Sequence, residues 1–147
     1  PQADCERLSI SNNIIEDMPD LQVPRMYLAT CAQGTSIYAI CGYGEDQQGG
    51  NKKVSFNTIE CLKDAHMDAR LLEDTEWIVI QVDDTALSPR NSPVAVAINP
   101  QEIAICGGYK DNEWYADMIL YNTSSEKVKK IVKKDEEQSF SFFSYDN

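Results

Sequence analysis

The sequence predicts an all-β fold built of four-stranded antiparallel units, and three observations lead to this prediction. The apolar residues occur in short runs, which is typical of strands. Residues that favour turns, such as Gly, Pro and Asn, bound these runs. Part of the sequence also recurs at a fixed separation of 65 residues, which indicates two copies of one structural unit.

Two separate matches define the repeat. Pro24-Arg25 recurs as Pro89-Arg90, and Ala39-Ile40-Cys41-Gly42 recurs as Ala104-Ile105-Cys106-Gly107, each 65 residues further along the chain. Because both matches share one separation, coincidence is a poor explanation. The matches predict that the two copies align without a gap from Pro24 to Gly42.

Four strands are predicted in each copy. In the first copy they cover residues 26–31, 37–41, 56–61 and 77–80, and in the second they cover 94–98, 103–106, 117–121 and 128–132. Glycines end each second strand, at Gly42-Tyr43-Gly44 and at Gly107-Gly108. Such glycines permit backbone angles that other residues reach only at a cost.

The first copy carries an insertion over residues 63–76, between its third and fourth strands. The stretch from Ala65 to Leu72 lacks Gly and Pro and is rich in residues that favour helices. The composition therefore predicts a short helix inside the insertion.

These features resemble the kelch repeat, which is a four-stranded blade of one class of β-propeller. The resemblance rests on the Pro-Arg opening of each copy, on the strand that ends in Gly107-Gly108 and on the strand that follows it. It covers residues 18–132, and it departs from the family pattern where Gly42-Tyr43 stands in place of two glycines. The resemblance implies a partial β-propeller made of four-stranded antiparallel blades.

The resemblance also implies how the chain is divided. Residues 1–23 would end a preceding blade, 24–88 would form one blade with the 63–76 insertion, 89–135 would form a second blade, and 136–147 would begin the next at Phe140-Ser141-Phe142-Phe143. Propellers close with about four to eight blades, so two blades cannot form a ring. The chain also begins at Pro1 and not at a methionine. We therefore expect the rest of a longer chain, or another chain, to complete the propeller.

The composition restricts the classes of partner. The net charge is −11, which argues against sequence-independent binding to nucleic acid or to an anionic membrane, since both require a basic surface. No apolar run approaches the length of about 18 residues that a membrane span needs. The five cysteines are an odd number without Cys-x-x-Cys spacing, and they predict buried, reduced thiols in a cytoplasmic protein.

The catalytic motifs searched for in the sequence are missing or unspecific. There is no nucleophile elbow and no glycine-rich phosphate loop. His66 is the single histidine and lies in the predicted insertion, so we expect a solvated surface residue, no metal site and no cofactor. The basic run 127–134 is interpreted as an edge strand protected by lysines, with the docking of an acidic partner as the alternative.

The resemblance implies a binding site at the mouth of the propeller channel. In kelch-like propellers the contacts come from residues just after the double glycine and just after the Pro-Arg pair. In this sequence they correspond to Tyr43, Tyr109 and Lys110 after the glycines, and to Tyr27 and Ser92 after Pro-Arg. The alternative is that the tyrosines only pack one blade against the next. Arg25 and Arg90 are expected to tie neighbouring blades together through hydrogen bonds.

The leading functional hypothesis is therefore a non-catalytic scaffold for protein–protein interaction in the cytoplasm, with an association with the cytoskeleton as one form of it. A first alternative is an enzyme of the kelch class that acts on a sugar or another small molecule, with its active site in blades outside this chain. A second alternative is a passive structural component of a large assembly.

Overall fold

Two four-stranded antiparallel sheets and two hairpins make up the described part of the chain. The computed structural model describes residues 3–46, 52–67, 72, 75–83 and 85–131. Within these ranges there are strands, turns and irregular segments, and no helix that is long and apolar enough to cross a membrane. The prediction of an all-β protein with four-stranded antiparallel sheets is thus confirmed.

The strands follow one another along the chain with few long connections. The first hairpin consists of β1 (Cys5–Ser9) and β2 (Ile14–Met18). The first sheet contains, in spatial order, β3 (Ala29–Gln33), β4 (Ser36–Glu45), β5 (Lys53–Leu62) and β6 (Ile78–Ile80). The second sheet contains, in spatial order, β7 (Val94–Asn99), β8 (Glu102–Cys106), β11 (Met118–Asn122) and β12 (Lys127–Ile131). A short hairpin of β9 (Tyr109–Lys110) and β10 (Glu113–Trp114) lies between β8 and β11 in sequence.

Each predicted strand overlaps an observed one, but the two copies do not align as the sequence suggested. The separation of 65 residues holds from Pro24-Arg25 to the first strand, and it becomes 66 at the second strand. Ala29 pairs with Ile40, whereas Val94 pairs with Cys106, because the β7–β8 pairing contains an irregularity between Ala97 and Asn99. The extra residue sits at this bulge, where a strand pair accommodates it most easily.

The shift of one residue changes which residues are equivalent. Cys41 and Gly42 have φ angles of 58° and 107°, and Gly107 and Gly108 have φ angles of 64° and 105°. Cys41-Gly42 therefore takes the place of the double glycine in the first copy, and the predicted equivalence of Cys41 with Cys106 is wrong. Successive residues of a strand point to opposite faces of the sheet. A shift of one residue therefore means that each residue of Ala39-Ile40-Cys41-Gly42 points to the opposite face from the identical residue in the second copy.

The two sheets pack face to face around the larger apolar core. Tyr38, Ile40 and Ile59 of the first sheet belong to this core together with Ile105 and Tyr121 of the second. The rings of Tyr38 and Tyr121 meet edge to face, with 6.0 Å between their centroids. A smaller apolar cluster covers the opposite face of the first sheet, where the β1–β2 hairpin packs; its buried members are Ala39, Leu62, Ala65 and Trp77.

The insertion predicted over 63–76 lies between β5 and β6. Residues 65–67 form a turn and bend, and residues 68–71, which the predicted helix includes, lie outside the described residues. The insertion contributes buried side chains of its own, since Ala65 and Leu72 are 5% and 1% exposed. The predicted start of a further blade at residues 140–143 also lies outside the described residues.

A buried ion pair holds the start of the first sheet. The side chains of Arg25 and Glu60 are both 0% exposed, and their Nη2 and Oε1 atoms are 2.5 Å apart. The Glu60 carboxylate also accepts hydrogen bonds from the backbone amides of Gln22 and Val23, at 2.7 and 3.2 Å. Two charges taken out of water are tolerated because their remaining hydrogen-bonding capacity is used.

We expect Glu60→Gln to lower the free energy of unfolding by about 3 kcal/mol, because it leaves the Arg25 charge buried without a counter-ion. Urea denaturation of both proteins measures the difference. The matched control is Glu16→Gln, which removes the partly exposed pair between Arg7 and Glu16 at 2.7 Å. The control should lose less than about 1 kcal/mol, and an equal loss in both variants would contradict the role assigned to the buried pair.

Candidate binding cleft

The candidate site is built on the segments that carry the two Pro-Arg pairs. Arg25 donates from Nη1 to the backbone oxygen of Cys41 at 2.8 Å, and Arg90 donates from Nη1 to the backbone oxygen of Gly107 at 2.8 Å. Each guanidinium therefore binds the first residue of the positive-φ pair in its own sheet. The side-chain hydrogen bonds of both arginines remain within one sheet, so of the expected bonds between neighbouring sheets only those of the Arg90 backbone are found.

The guanidinium groups fill places where the strand pairing is irregular. The β4–β5 register shifts between Ile40 and Gly42. Cys41 of β4 and Thr58 of β5 lie within this irregular stretch, and Arg25 binds the carbonyl oxygens of both. Buried carbonyl groups that a strand ladder leaves without a partner are costly, so another donor has to satisfy them. Arg90 is similarly held by both carboxylate oxygens of Asp117, at 2.6 and 3.1 Å.

The backbone around Arg90 connects the two sheets. Its carbonyl oxygen accepts a hydrogen bond from the amide of Gly42 at 2.9 Å, and its own amide donates to the carbonyl of Phe56 at 3.0 Å. Two residues later the amide of Ser92 donates to the carbonyl of Tyr27 at 2.7 Å. These bonds fix the second Pro-Arg segment against the first sheet, and they position the residues that line the cleft.

The residues after each positive-φ pair form matching short backbone ladders. Tyr43 exchanges both backbone hydrogen bonds with Met26, each at 2.8 Å, and Tyr109 does the same with Asn91 at 2.8 and 3.0 Å. Tyr43 and Tyr109 are thus equivalent residues of the two copies. In both copies the chain then extends beyond the sheet as a hairpin, through the far end of β4 and the start of β5 in the first copy and through β9 and β10 in the second.

The β9–β10 hairpin has a tight turn that its sequence explains. Asp111 and Asn112 both have positive φ angles, 51° and 69°, which is the geometry of the two-residue turn that joins adjacent strands. The phenol of Tyr109 donates to Oδ1 of Asn112 at 2.8 Å. Its ring lies 4.9 Å from the ring of Trp114, measured between centroids, and Trp114 is 74% exposed.

An open cleft of about 690 Å³ is bounded by these two hairpins and the Pro-Arg segments. Four of the five predicted site residues line it, namely Tyr27, Tyr43, Tyr109 and Lys110. Ser92 does not line it; its amide donates to the Tyr27 carbonyl, and its hydroxyl donates to Oδ1 of the lining residue Asn91 at 3.5 Å. The other lining residues are Lys52, Lys53, Val54, Ser55, Pro89, Asn91, Asp111 and Asn112.

Sequence reasoning missed two groups of lining residues. Lys52 directly precedes β5 and Lys53 begins it, in a hairpin whose length the two copies do not share, so the repeat gave no reason to single them out. Asp111 and Asn112 could have been found, because two residues that tolerate positive φ, placed between Tyr109-Lys110 and Glu113-Trp114, indicate a hairpin.

Lysines dominate the charge of the lining. Among the described residues, Lys52, Lys53 and Lys110 line the cleft with a single acid, Asp111, although the chain as a whole carries a net charge of −11. Lys53 and Lys110 lie opposite Glu45 and Glu113 in their strand pairs, so part of the positive charge is balanced at the rim.

The groups that could act as nucleophiles are held in their unreactive form. Burial raises the pKa of Cys41 to about 12, an effect that the nearby charges of Arg90 and Arg25 only partly offset. Burial likewise raises the pKa of Cys31 and Cys61, so these thiols stay protonated at neutral pH. His66 is exposed in the turn after β5, whereas the cleft is lined by residues from the start of that strand. No cluster of three or more metal-ligating side chains occurs among the described residues.

No protein-family model matches the chain, and no curated protein sequence matches it. The assignment of a function therefore rests on the geometry of the cleft and on the resemblance of the repeats.

Lowering the pH should destabilise the segment around Arg90, which forms one side of the cleft, because Asp117 then loses its charge. Burial raises the pKa of its carboxyl group, but the hydrogen bonds and charge of Arg90, together with Lys130, outweigh burial and hold the pKa below its usual range. A carboxylate with a lowered pKa stabilises the fold above the pKa of the unfolded chain, about 4, and that contribution is lost as the pH falls through the lowered value.

We therefore expect Asp117→Asn to destabilise the protein by about 1–3 kcal/mol at pH 7, and by clearly less at pH 3. Urea denaturation of both proteins at pH 7, 5 and 3 gives the comparison. Asp111→Asn is the control, because its carboxylate is 86% exposed and should change little at any pH. A difference between wild type and Asp117→Asn that does not vary with pH would contradict this assignment.

Proposed function

We propose that this chain is part of a kelch-type β-propeller that binds another protein through the cleft between its hairpins, and that it has no catalytic role. The observation that carries the proposal is the convergence of Tyr27, Tyr43, Tyr109 and Lys110 on one cleft. The resemblance predicted these residues from their places in the repeat, and the separation of Tyr27, Tyr43 and Tyr109 along the chain does not by itself require them to be neighbours.

The stacking of two similar sheets supports the propeller part of the proposal. Both sheets have a Pro-Arg segment whose arginine binds the first residue of a positive-φ pair, and both continue into a hairpin on the same side. A propeller repeats one such unit around an axis, with every blade packed on the next. In such a propeller each blade would pack on the next through an apolar core like the one between these two sheets.

The chemistry of the cleft suits a protein segment as ligand. Tyrosine rings offer a large contact area at a small cost in side-chain entropy, and they are common in recognition surfaces. The cleft is open along the hairpins, so it can accept an extended chain. Because three lysines line it and only one acid does, we expect that chain to carry carboxylates. The burial of Cys31, Cys41 and Cys61 in strands fits a reducing compartment, and we propose the cytoplasm.

A selection from a library of random peptides tests the proposal. Peptides that bind the wild-type protein should be rich in Asp and Glu. They should bind the Tyr27→Ala and Lys110→Glu variants at least about tenfold more weakly, the factor that corresponds to 1.4 kcal/mol. Tyr27 is 63% exposed, so its replacement should not disturb the fold.

Two variants outside the cleft are the matched controls. Ile10→Ala shortens a side chain that is 84% exposed in the first hairpin, and Lys63→Glu reverses a charge beyond the end of β5 that does not line the cleft. Both should bind the selected peptides as the wild type does. Peptides that lose affinity equally for control and cleft variants, or a selection without enrichment, would count against a binding role for the cleft.

A further inference from the structure

The described elements stack in one direction along the chain. The first sheet buries Tyr38 and Ile40 against the second sheet, and buries Ala39 and Leu62 on its other face, where the β1–β2 hairpin packs through Cys5 and Met18. Each element except those at the ends of the stack is thus covered on both faces. The end faces are the outward face of the second sheet and the outward face of the hairpin.

The outward face of the second sheet is apolar, and no other described element packs on it. The registers place Val94, Cys106, Met118 and Ile131 in one row across the four strands, and Val94, Met118 and Ile131 are 66%, 45% and 38% exposed. Val96, two residues along β7, is 52% exposed. Contiguous apolar surface of this kind marks a site where another surface packs.

Two lysines flank this apolar row on β12. Lys127 and Lys129 alternate with Val128 and Lys130, so they share the outward face with Ile131. Val128 and Lys130 point inward: Val128 packs against the core, and Nζ of Lys130 lies 3.4 Å from Oδ2 of Asp117. The basic run of the sequence therefore divides into an inward half that stabilises the sheet and an outward half that faces solvent. The outward face also carries Glu102, whose carboxylate accepts a hydrogen bond from the Asn99 side chain at 2.6 Å.

The outward face of the hairpin has the complementary character. Leu8 and Ile15 pair directly across its two strands and are 61% and 64% exposed. The next pair on the same face is Glu6 with Asp17, and both are exposed. The face thus combines an apolar pair with two carboxylates, whereas the second sheet combines an apolar row with two lysines.

We propose that copies of this chain associate head to tail, with the outward face of the β1–β2 hairpin of one copy packed on the outward face of β11 and β12 of the next. The contact brings Leu8 and Ile15 onto Met118 and Ile131, and it sets the carboxylates of the hairpin beside the lysines of β12. Opposite charges at such a contact select the partner face as well as attract it.

Head-to-tail packing is favoured over the symmetric arrangements. Two copies of the second sheet placed face to face would bring Lys127 and Lys129 against the same lysines, and two hairpins would bring carboxylates against carboxylates. Packing hairpin on sheet also continues the direction in which the elements already stack inside one chain. A contact between two different faces leaves one of each free, so it adds copies until a ring closes or a filament forms.

A charge-swap experiment on the whole chain tests the proposal. The sheet variant is Lys127→Glu with Lys129→Glu, and the hairpin variant is Glu6→Lys with Asp17→Lys. Analytical ultracentrifugation of the wild type at low salt, from about 1 μM to about 1 mM, should show a mass that rises with concentration. Each variant alone should associate at least about tenfold more weakly, because like charges then meet at the contact.

An equal mixture of the two variants should associate again, since each contact in the mixture joins opposite charges. The paired control variants are Lys63→Glu and Glu76→Lys, which reverse exposed charges away from both faces and should associate as the wild type does. All the substituted residues are exposed, and circular dichroism verifies that each variant is folded.

Three results would overturn the proposal. The first is a wild type that stays monomeric over the whole concentration range. The second is undiminished association of either charge variant alone, which would mean that the wild type pairs two like faces. The third is a mixture that fails to restore the association.

Discussion

The structure depends on two arginines whose charges are used inside the sheets. Arg25 binds the carbonyl oxygens of Cys41 and Thr58, which lie where the pairing of β4 and β5 is irregular. Without the guanidinium these buried acceptors would lack hydrogen bonds, and without Glu60 the guanidinium would lack a counter-ion. Because Glu60 also binds the amides of Gln22 and Val23, one ion pair stabilises the irregularity in the sheet and fixes the path by which the chain reaches it.

The second arginine, Arg90, has the equivalent position in the second sheet but a different counter-ion. Its backbone carries the contact between the two sheets. Arg90 pairs with Asp117 at the start of β11, while its backbone binds Gly42 and Phe56 of the first sheet. The side chain therefore belongs to one sheet and the backbone to the other. The cleft is a consequence of this arrangement, since the segment of Arg90 sets the distance between the two hairpins that bound it.

The prediction from sequence was good for strands and poorer for anything that depends on register. Short apolar runs between turn residues located the four strands of each sheet, whereas the hairpin strands β1, β2, β9 and β10 were not predicted. The match of Ala39-Ile40-Cys41-Gly42 with residues 104–107 was misleading by one residue, since a bulge in the β7–β8 pairing leaves no mark in the identity of residues. The structural role of Glu60 could not be predicted either, because an acid within an apolar strand has meaning only once its partner is known.

Four of the predicted residues line one cleft because they follow recognisable backbone features. Tyr43 and Tyr109 come directly after the positive-φ pairs, and Tyr27 and Ser92 have positive φ angles themselves, 54° and 52°. The positions are set by the repeat, so the resemblance could transfer them. Ser92 does not line the cleft, although it has the same place in the second copy as Tyr27 has in the first. The lysines at 52 and 53 lie in the part of the first copy that differs in length from the second, where a repeat has no predictive value.

The cleft and the stacking faces lie on different sides of the sheets, so the two surfaces do not compete. The cleft is at one end of the strands, where the hairpins extend, whereas the apolar rows run across the broad faces. Packing the β1–β2 hairpin of a second copy on the outward row would therefore leave the cleft open. Ligand binding and the association of copies are thus separable, because the hairpins that bound the cleft and the broad faces that would pack on each other share no residues.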